Sequence, residues 1–301
     1  MSELPAPARP LRLQDLHLLG LHPTENSTGD IVLGQLEQAA LRTGIPSGIA
    51  SDHGSDVKKG GELFAAQHPL TALVYDVDHH GAVVLKRNLE ADDRWASLIT
   101  RLGQTKALHM NIESLMRWCR RILSLLSRRG ETSASERAIA RYDWFEKFRG
   151  TIGEWSRWES TIRCSVALIR TQGLSRGCET QLKAAFRARP SQERHQELEG
   201  VMLEFARQQS AGLKAGERLI GSTEVLESVF GKLKTLERQE SKSGLTGLVL
   251  SLGALLGTWT NSRLKAALDQ TPVKHMESWL QELFPESVQS QRRLAFAEAR
   301  P

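Results

Sequence analysis

Over the first 92 residues, apolar positions come in short blocks whose spacing changes from one block to the next. Leu16 to Leu21 is a brief apolar run and predicts a strand. Ile31 to Thr43 carries Val32, Leu36, Ala39 and Ala40 on one face, the 3.6-residue repeat of an amphipathic helix. Thr28 or Asp30 is a suitable cap, and Gly44 ends the helix. Gly48 to Asp52 predicts a second strand that stops at an acid. After the turn at His53–Asp56, with Ser55 or Asp56 as cap, comes a helix with Leu63, Phe64 and Ala65. Thr71 to Val77 is rich in β-formers and predicts a third strand, followed by a helix with Val83, Val84, Leu85 and Leu89. Strand–helix alternation of this kind predicts an α/β fold with mostly parallel strands. In such sheets functional side chains collect at the carboxyl ends of strands, where Asp52, Asp76 and Asp78 fall.

Beyond Leu89 the pattern turns helical, and no strand is predicted from Asp92 to about Ala215. Leu108, Ile112, Leu115, Met116, Cys119, Ile122 and Leu126 keep helical spacing, as do Trp155, Trp158, Ile162 and Val166. A polar break lies at Gly130–Ser135. The expected organisation is therefore residues 1–92 as the first part of an α/β core and 93–215 as a large all-α insertion. Residues 216–260 return to the core, and 261–301 form a helical tail broken near Pro272 and Pro285.

The chain has 301 residues, enough for one large domain or two smaller ones, and a net charge of +5 with a pI near 9.2. That charge permits a polyanionic partner without requiring one. Cys119, Cys164 and Cys178 are odd in number and far apart, which argues against a disulfide framework or a zinc site and fits a reducing cytoplasm. The opening residues do not have the form of a signal peptide. Gly244–Trp259, the longest apolar stretch, is too short to cross a bilayer and reads as a buried helix. No membrane and no small-molecule cofactor are expected.

Ser222–Lys234 predicts a helix capped at Ser222 or Thr223, with Leu226, Val229, Phe230, Leu233 and Leu236 on its buried face. Glu227 and Lys234 stand two turns apart and share a face. Together with Ile49-Ala50-Ser51-Asp52-His53-Gly54-Ser55, this segment resembles the DDE transposases of insertion sequences. In that family the second catalytic Asp ends a strand before a small turn. The final Glu lies on a late helix, and many members carry a Lys after six intervening residues. The Tyr and Arg that precede the Glu in those members are replaced here by Ile220 and Thr223. The resemblance covers about residues 12–92 and 216–260.

The resemblance implies an RNase H-like core, interrupted by the insertion, that cuts and joins DNA at transposon ends and acts as a homo-oligomer when active. It implies Asp52 and Glu227 as catalytic metal ligands and Lys234 as a DNA contact. Two Mg²⁺ (or Mn²⁺) ions suit in-line attack on a phosphodiester, and such hard cations take carboxylate oxygens. The family's first catalytic Asp belongs to strands that would precede Leu16; Asp15 lies too close to that strand to serve. The expectation is an N-terminally truncated transposase, inactive alone, located in the cytoplasm and on the nucleoid when DNA-bound.

Two other readings stay open. One is a non-catalytic helical DNA-binding or partner-binding module. The other is an α/β metal-dependent nuclease using Asp52, Asp76 or Asp78, and Glu227. Arg117, Arg120, Arg121, Arg128 and Arg129 form a basic helix with no acid among them, either a phosphate-tracking face with Trp118 stacking on a base or a solvated surface. Tyr142, Trp144, Phe145, Phe148, Trp155 and Trp158 read chiefly as helical core. His79 and His80 lack the further ligands that zinc needs.

Overall fold

A computed structural model of the chain describes residues 9–20, 22, 26–103, 112–128, 136–239, 252, 256, 260–272, 274, 275, 278 and 282. The chain divides into two compact units. One is discontinuous, Met1–Leu73 with Thr223–Pro301; the other is the continuous stretch Val74–Ser222. The sequence reading sets the corresponding boundaries at 92/93 and 215/216.

In the discontinuous unit, α1 (Gly29–Thr43) starts behind Thr28, whose Oγ1 accepts the Ile31 N–H at 3.3 Å, and stops at Gly44, in the left-handed region at φ 82°. It packs on α2 (Ser55–Gln67). The two helices approach so closely that a Cβ on Gly60 would stand 2.5 Å from the Val32 Cβ and 2.9 Å from the Gly29 carbonyl oxygen. Only glycine fits there. Gly54, not Ser55 or Asp56, occupies the N-cap of α2, and no side chain caps that end. Asp56 instead accepts a hydrogen bond from the Ser27 hydroxyl.

Strands β1 (Gly48–Ser51) and β2 (Ala72–Tyr75) form a two-stranded sheet, with the Ala72 N–H donating to the Ser47 carbonyl at 2.9 Å. The unit division falls within β2. The strand expected over Leu16–Leu21 is absent over its described part, Leu16–Gly20. A short 3-10 turn, Leu13–Asp15, runs into it, and the Leu19 carbonyl is taken by the Arg42 guanidinium at 2.9 Å rather than by a neighbouring strand. Apolar composition is not enough for a strand that has nothing to pair with. Helices α10 (Glu224–Gln239) and α11 (Asn261–Gln270) complete the described part of this unit. Leu236, Gly130–Ser135, Leu108, Pro285 and most of Gly244–Trp259 lie outside the described residues or side chains.

The continuous unit is helical: α3 (Val77–Glu90), α4 (Asp93–Gly103), α5 (Ile112–Ser127), α6 (Glu136–Tyr142), α7 (Arg149–Gln172), α8 (Cys178–Arg187) and α9 (Gln196–Ser210). The 24-residue α7 is its axis, touched by α3, α5, α8 and α9. Trp155, Ile152, Ile162 and Ile169 on α7 are buried together with Met116, Phe145, Leu182 and Met202 from around it. At the α3–α7 crossing, a Cβ on Gly81 would lie 2.6 Å from Ile162 Cγ2. Asp92 anchors the start of α4. It accepts from Arg94, which holds its carboxyl down to about 2, and from the Trp155 indole N–H at 2.9 Å.

A short antiparallel pair, β3 (Leu174–Ser175) with β4 (Arg218–Leu219), also lies in this unit, and β3 falls in the stretch Asp92–Ala215 where the sequence predicts no strand. Two residues carry no readable alternation. The fold is thus mixed but mainly helical, with two small sheets in place of the larger parallel sheet that the alternation predicts.

The crossing of α1 and α2 yields a paired prediction. Gly60→Ala should destabilise the protein by about 1–3 kcal/mol, because the methyl meets backbone as well as Val32. Gly34→Ala, on α1 with nothing within 4 Å of its Cβ position, should be neutral or stabilise by up to about 1 kcal/mol. Chemical denaturation of both variants checks this, and equal effects would contradict the close crossing.

Candidate functional site

Asp52 directly follows β1, as the sequence predicts for a strand-end acid, and is exposed. Its Oδ1 accepts the Gly54 N–H at 3.1 Å, and the Ser51 hydroxyl accepts the His53 N–H at 3.4 Å. These local bonds close a turn in which His53 sits in the left-handed region at φ 57°. A non-glycine residue is held there only when its surroundings over-determine it. Histidine is among the non-glycine residues enriched in that conformation, so the turn sequence is compatible with it.

Glu227 stands in the first turn of α10 and is exposed. Lys234 follows two turns later on the same helix, also exposed. The helix buries Val229, but Leu226 is 43% and Phe230 53% exposed, so its apolar face is only partly covered, contrary to the expected buried stripe. Leu226 forms part of the wall of an apolar cleft of about 320 Å³, lined also by Leu16, Leu19, Val32, Leu36 and Leu256. Asp52 and Glu227 thus belong to the same compact unit, although the whole helical unit separates them along the chain.

The other acids near strand ends are committed. Asp76 is buried and caps α3, accepting from the Asp78 N–H at 2.6 Å and the His79 N–H at 3.2 Å. Asp78 accepts the Ser222 hydroxyl at 2.5 Å. Asp15 is gripped by the Arg9 guanidinium at 2.7 and 2.8 Å, which holds its carboxyl down at about 2. Asp15 therefore lies in a 3-10 turn, engaged by arginine.

The basic helix is less free than its sequence suggests. On α5, Arg117 pairs with Glu113 at 2.8 Å, one turn earlier. Arg120 pairs with Glu159, a buried carboxylate brought in from α7. The expectation of a helix without acids holds only along its own run of arginines. For Arg120, packing of α7 supplies the counter-charge, which no local pattern reveals. Arg121 remains exposed.

Among the described residues, no three His, Cys, Asp or Glu side chains gather as a metal site. Asp52 and Glu227 offer the hard oxygens that Mg²⁺ or Mn²⁺ takes, but the described residues do not complete a ligand set. No described helix is long and apolar enough to cross a membrane. Comparison with protein-family models, with curated proteins and with solved structures finds no match.

Two predictions follow from these charges. Arg120→Ala leaves the Glu159 carboxylate buried with its main partner gone. It should cost roughly 1–3 kcal/mol, below the range for a fully buried pair because Arg120 reaches solvent. Arg121→Ala should stay within about 0.5 kcal/mol. Denaturation midpoints decide between this structural role for Arg120 and a purely surface one.

The second concerns Asp78. Burial raises its carboxyl above the usual range, the Ser222 hydrogen bond opposes this, and Asp76 adds repulsion. The folded chain therefore holds that proton more tightly than the unfolded chain. This contributes stability at low pH that is lost as pH rises through the raised value. Asp78→Asn should flatten the fall in stability as pH rises from about 4 through the raised value, read by urea unfolding. An unchanged slope would show that Asp78 titrates alike in both states.

Proposed function

We propose that the chain is part of a DDE-type transposase of an insertion sequence, with an RNase H-like catalytic core divided by the helical unit. The observation that carries this reading is the membership of Asp52 and Glu227 in one unit, with the helical unit lying between them in sequence. Two further features support it. Asp52 follows a strand and is held on a turn with left-handed backbone; Glu227 and Lys234 project from one exposed helix. The substrate is transposon-end DNA, and the reaction is phosphodiester cleavage and strand transfer by a homo-oligomer in the cytoplasm, on the nucleoid when DNA-bound.

In this reading Asp52 and Glu227 hold Mg²⁺ or Mn²⁺, which activates the attacking oxygen and steadies the leaving one. Lys234 contacts the phosphate backbone near the cut. Arg121, with Arg117 and Arg120 beyond their ion pairs, adds positive charge on the helical unit. The family's first Asp is not among the residues assigned, so the chain alone is expected to be inactive. Because no three ligands gather among the described residues, a non-catalytic DNA-binding module is the second reading.

Iron-directed backbone cleavage tests the pair directly. Fe²⁺ with ascorbate and peroxide should cut the polypeptide near both Asp52 and Glu227. Excess Mg²⁺ should suppress the cuts, and either Asp52→Asn or Glu227→Gln should remove both sets. Cuts at neither acid, with salt-sensitive DNA binding retained, would favour the non-catalytic module. Cuts centred on Asp76 and Asp78 would favour the unrelated nuclease.

A further inference from the structure

Trp144 and Tyr142 lie where α6 passes into the 3-10 segment Asp143–Phe148, and both are half-buried, whereas Phe145 and Phe148 are fully inside. The half-buried rings are braced. Trp144 meets Phe145 at 5.2 Å and Phe148 at 6.0 Å, both edge to face. Tyr142 meets Trp118 of α5 at 5.5 Å in the same manner, and Trp118 meets Phe145 at 5.7 Å. Cations accompany the rings: Arg101 stands 5.5 Å from the Trp144 ring centre, Arg141 5.6 Å from Tyr142, and Lys147 5.3 Å from Phe148. Arg121 is exposed one turn beyond Trp118. Two acids share the segment, Asp143 and Glu146, and Arg149 holds Glu146 at 2.8 Å.

A core needs aromatic packing but does not need a cation beside successive rings. Rigid, partly open rings edged by guanidinium and ammonium groups fit a chain that alternates flat bases with phosphates. In a duplex the base faces are already stacked on one another, so only an unpaired strand can present them. An arginine beside an indole adds a second planar surface and a charge for phosphate.

We propose that this aromatic and basic face of the helical unit, centred on Trp144 with Tyr142, Arg101, Arg141 and Lys147, binds single-stranded DNA by stacking unpaired bases. The inference does not rest on the cleavage chemistry, and its test needs no metal ion.

The full chain is titrated against a fluorescein-labelled 20-nucleotide oligothymidylate in EDTA, with fluorescence anisotropy as readout. Binding should tighten as salt falls. Trp144→Ala should weaken it roughly 5- to 100-fold, the loss of about one stacked base, while Trp144→Phe keeps most of the affinity. Arg101→Gln should weaken it less and lower the salt dependence. Circular dichroism and thermal melting show whether Trp144→Ala is folded; if it is not, Tyr142→Leu and Arg101→Gln carry the comparison. The proposal is overturned if the wild-type chain does not bind the oligonucleotide, if Trp144→Ala weakens binding of a blunt duplex of equal length as much as it weakens binding of the oligonucleotide, or if the folded variants bind the oligonucleotide like wild type. Loss of iron-directed cleavage at Asp52 and Glu227 with strand binding intact would remove the catalytic reading alone.

Discussion

The return of the chain to its own starting point is the constraint on which the helical unit depends. The Val77 N–H donates to the Gly221 carbonyl at 2.9 Å, the Ser222 hydroxyl to Asp78 at 2.5 Å, and the Tyr75 N–H to Gln209 at 2.9 Å. Closing so long a loop costs entropy, but the cost grows only logarithmically with length. Three hydrogen bonds, at about 1 kcal/mol each, do not offset it by themselves. Packing against α7 adds to them at both ends of the unit: α3 meets it closely at Gly81 against Ile162, and the returning chain at Gly221 against Ile169. A segment closed in this way can interrupt another unit without disturbing the continuity of either flank.

The helices were legible because their apolar spacing is long and regular. Leu115, Met116, Cys119, Ile122 and Leu126 are buried on α5, as are Trp155, Trp158 and Ile162 on α7. The sheets were not legible to the same degree. Leu16–Gly20 has the composition of a strand but lacks a partner, while Leu174–Ser175 has a partner but no pattern. Strand formation is decided by what lies alongside, and a local reading cannot see that. The partial exposure of Leu226 and Phe230 has a similar origin: helical spacing marks an apolar face but not how much of it is covered.

Charge was legible in kind but not in pairing. The arginines of α5 read as an uncompensated run until α7 brings Glu159 beneath Arg120. On α9, Glu199 is likewise buried and held by Arg194 at 2.7 Å. Both carboxylates lie on amphipathic helices, where an acid normally faces water. Their burial is tolerable only because a guanidinium stays within hydrogen-bonding reach. The 40 lysines and arginines are therefore a poor guide to how much positive surface is available, because some of them neutralise buried acids within the fold.

The same accounting separates Asp52 from the other acids. A carboxylate that accepts several strong donors is stabilised where it is and gives up that stabilisation to do anything else. Asp76 spends itself on two backbone N–H groups, Asp92 on Arg94 and Trp155, Asp15 on Arg9, and Asp78 on Ser222. Asp52 is exposed and accepts one N–H, from Gly54, at the longer distance of 3.1 Å. Its turn is held with His53 in left-handed backbone, a conformation that costs energy and that asparagine or glycine would adopt more readily. Among these acids Asp52 is therefore the one whose carboxylate gives up least in taking a cation.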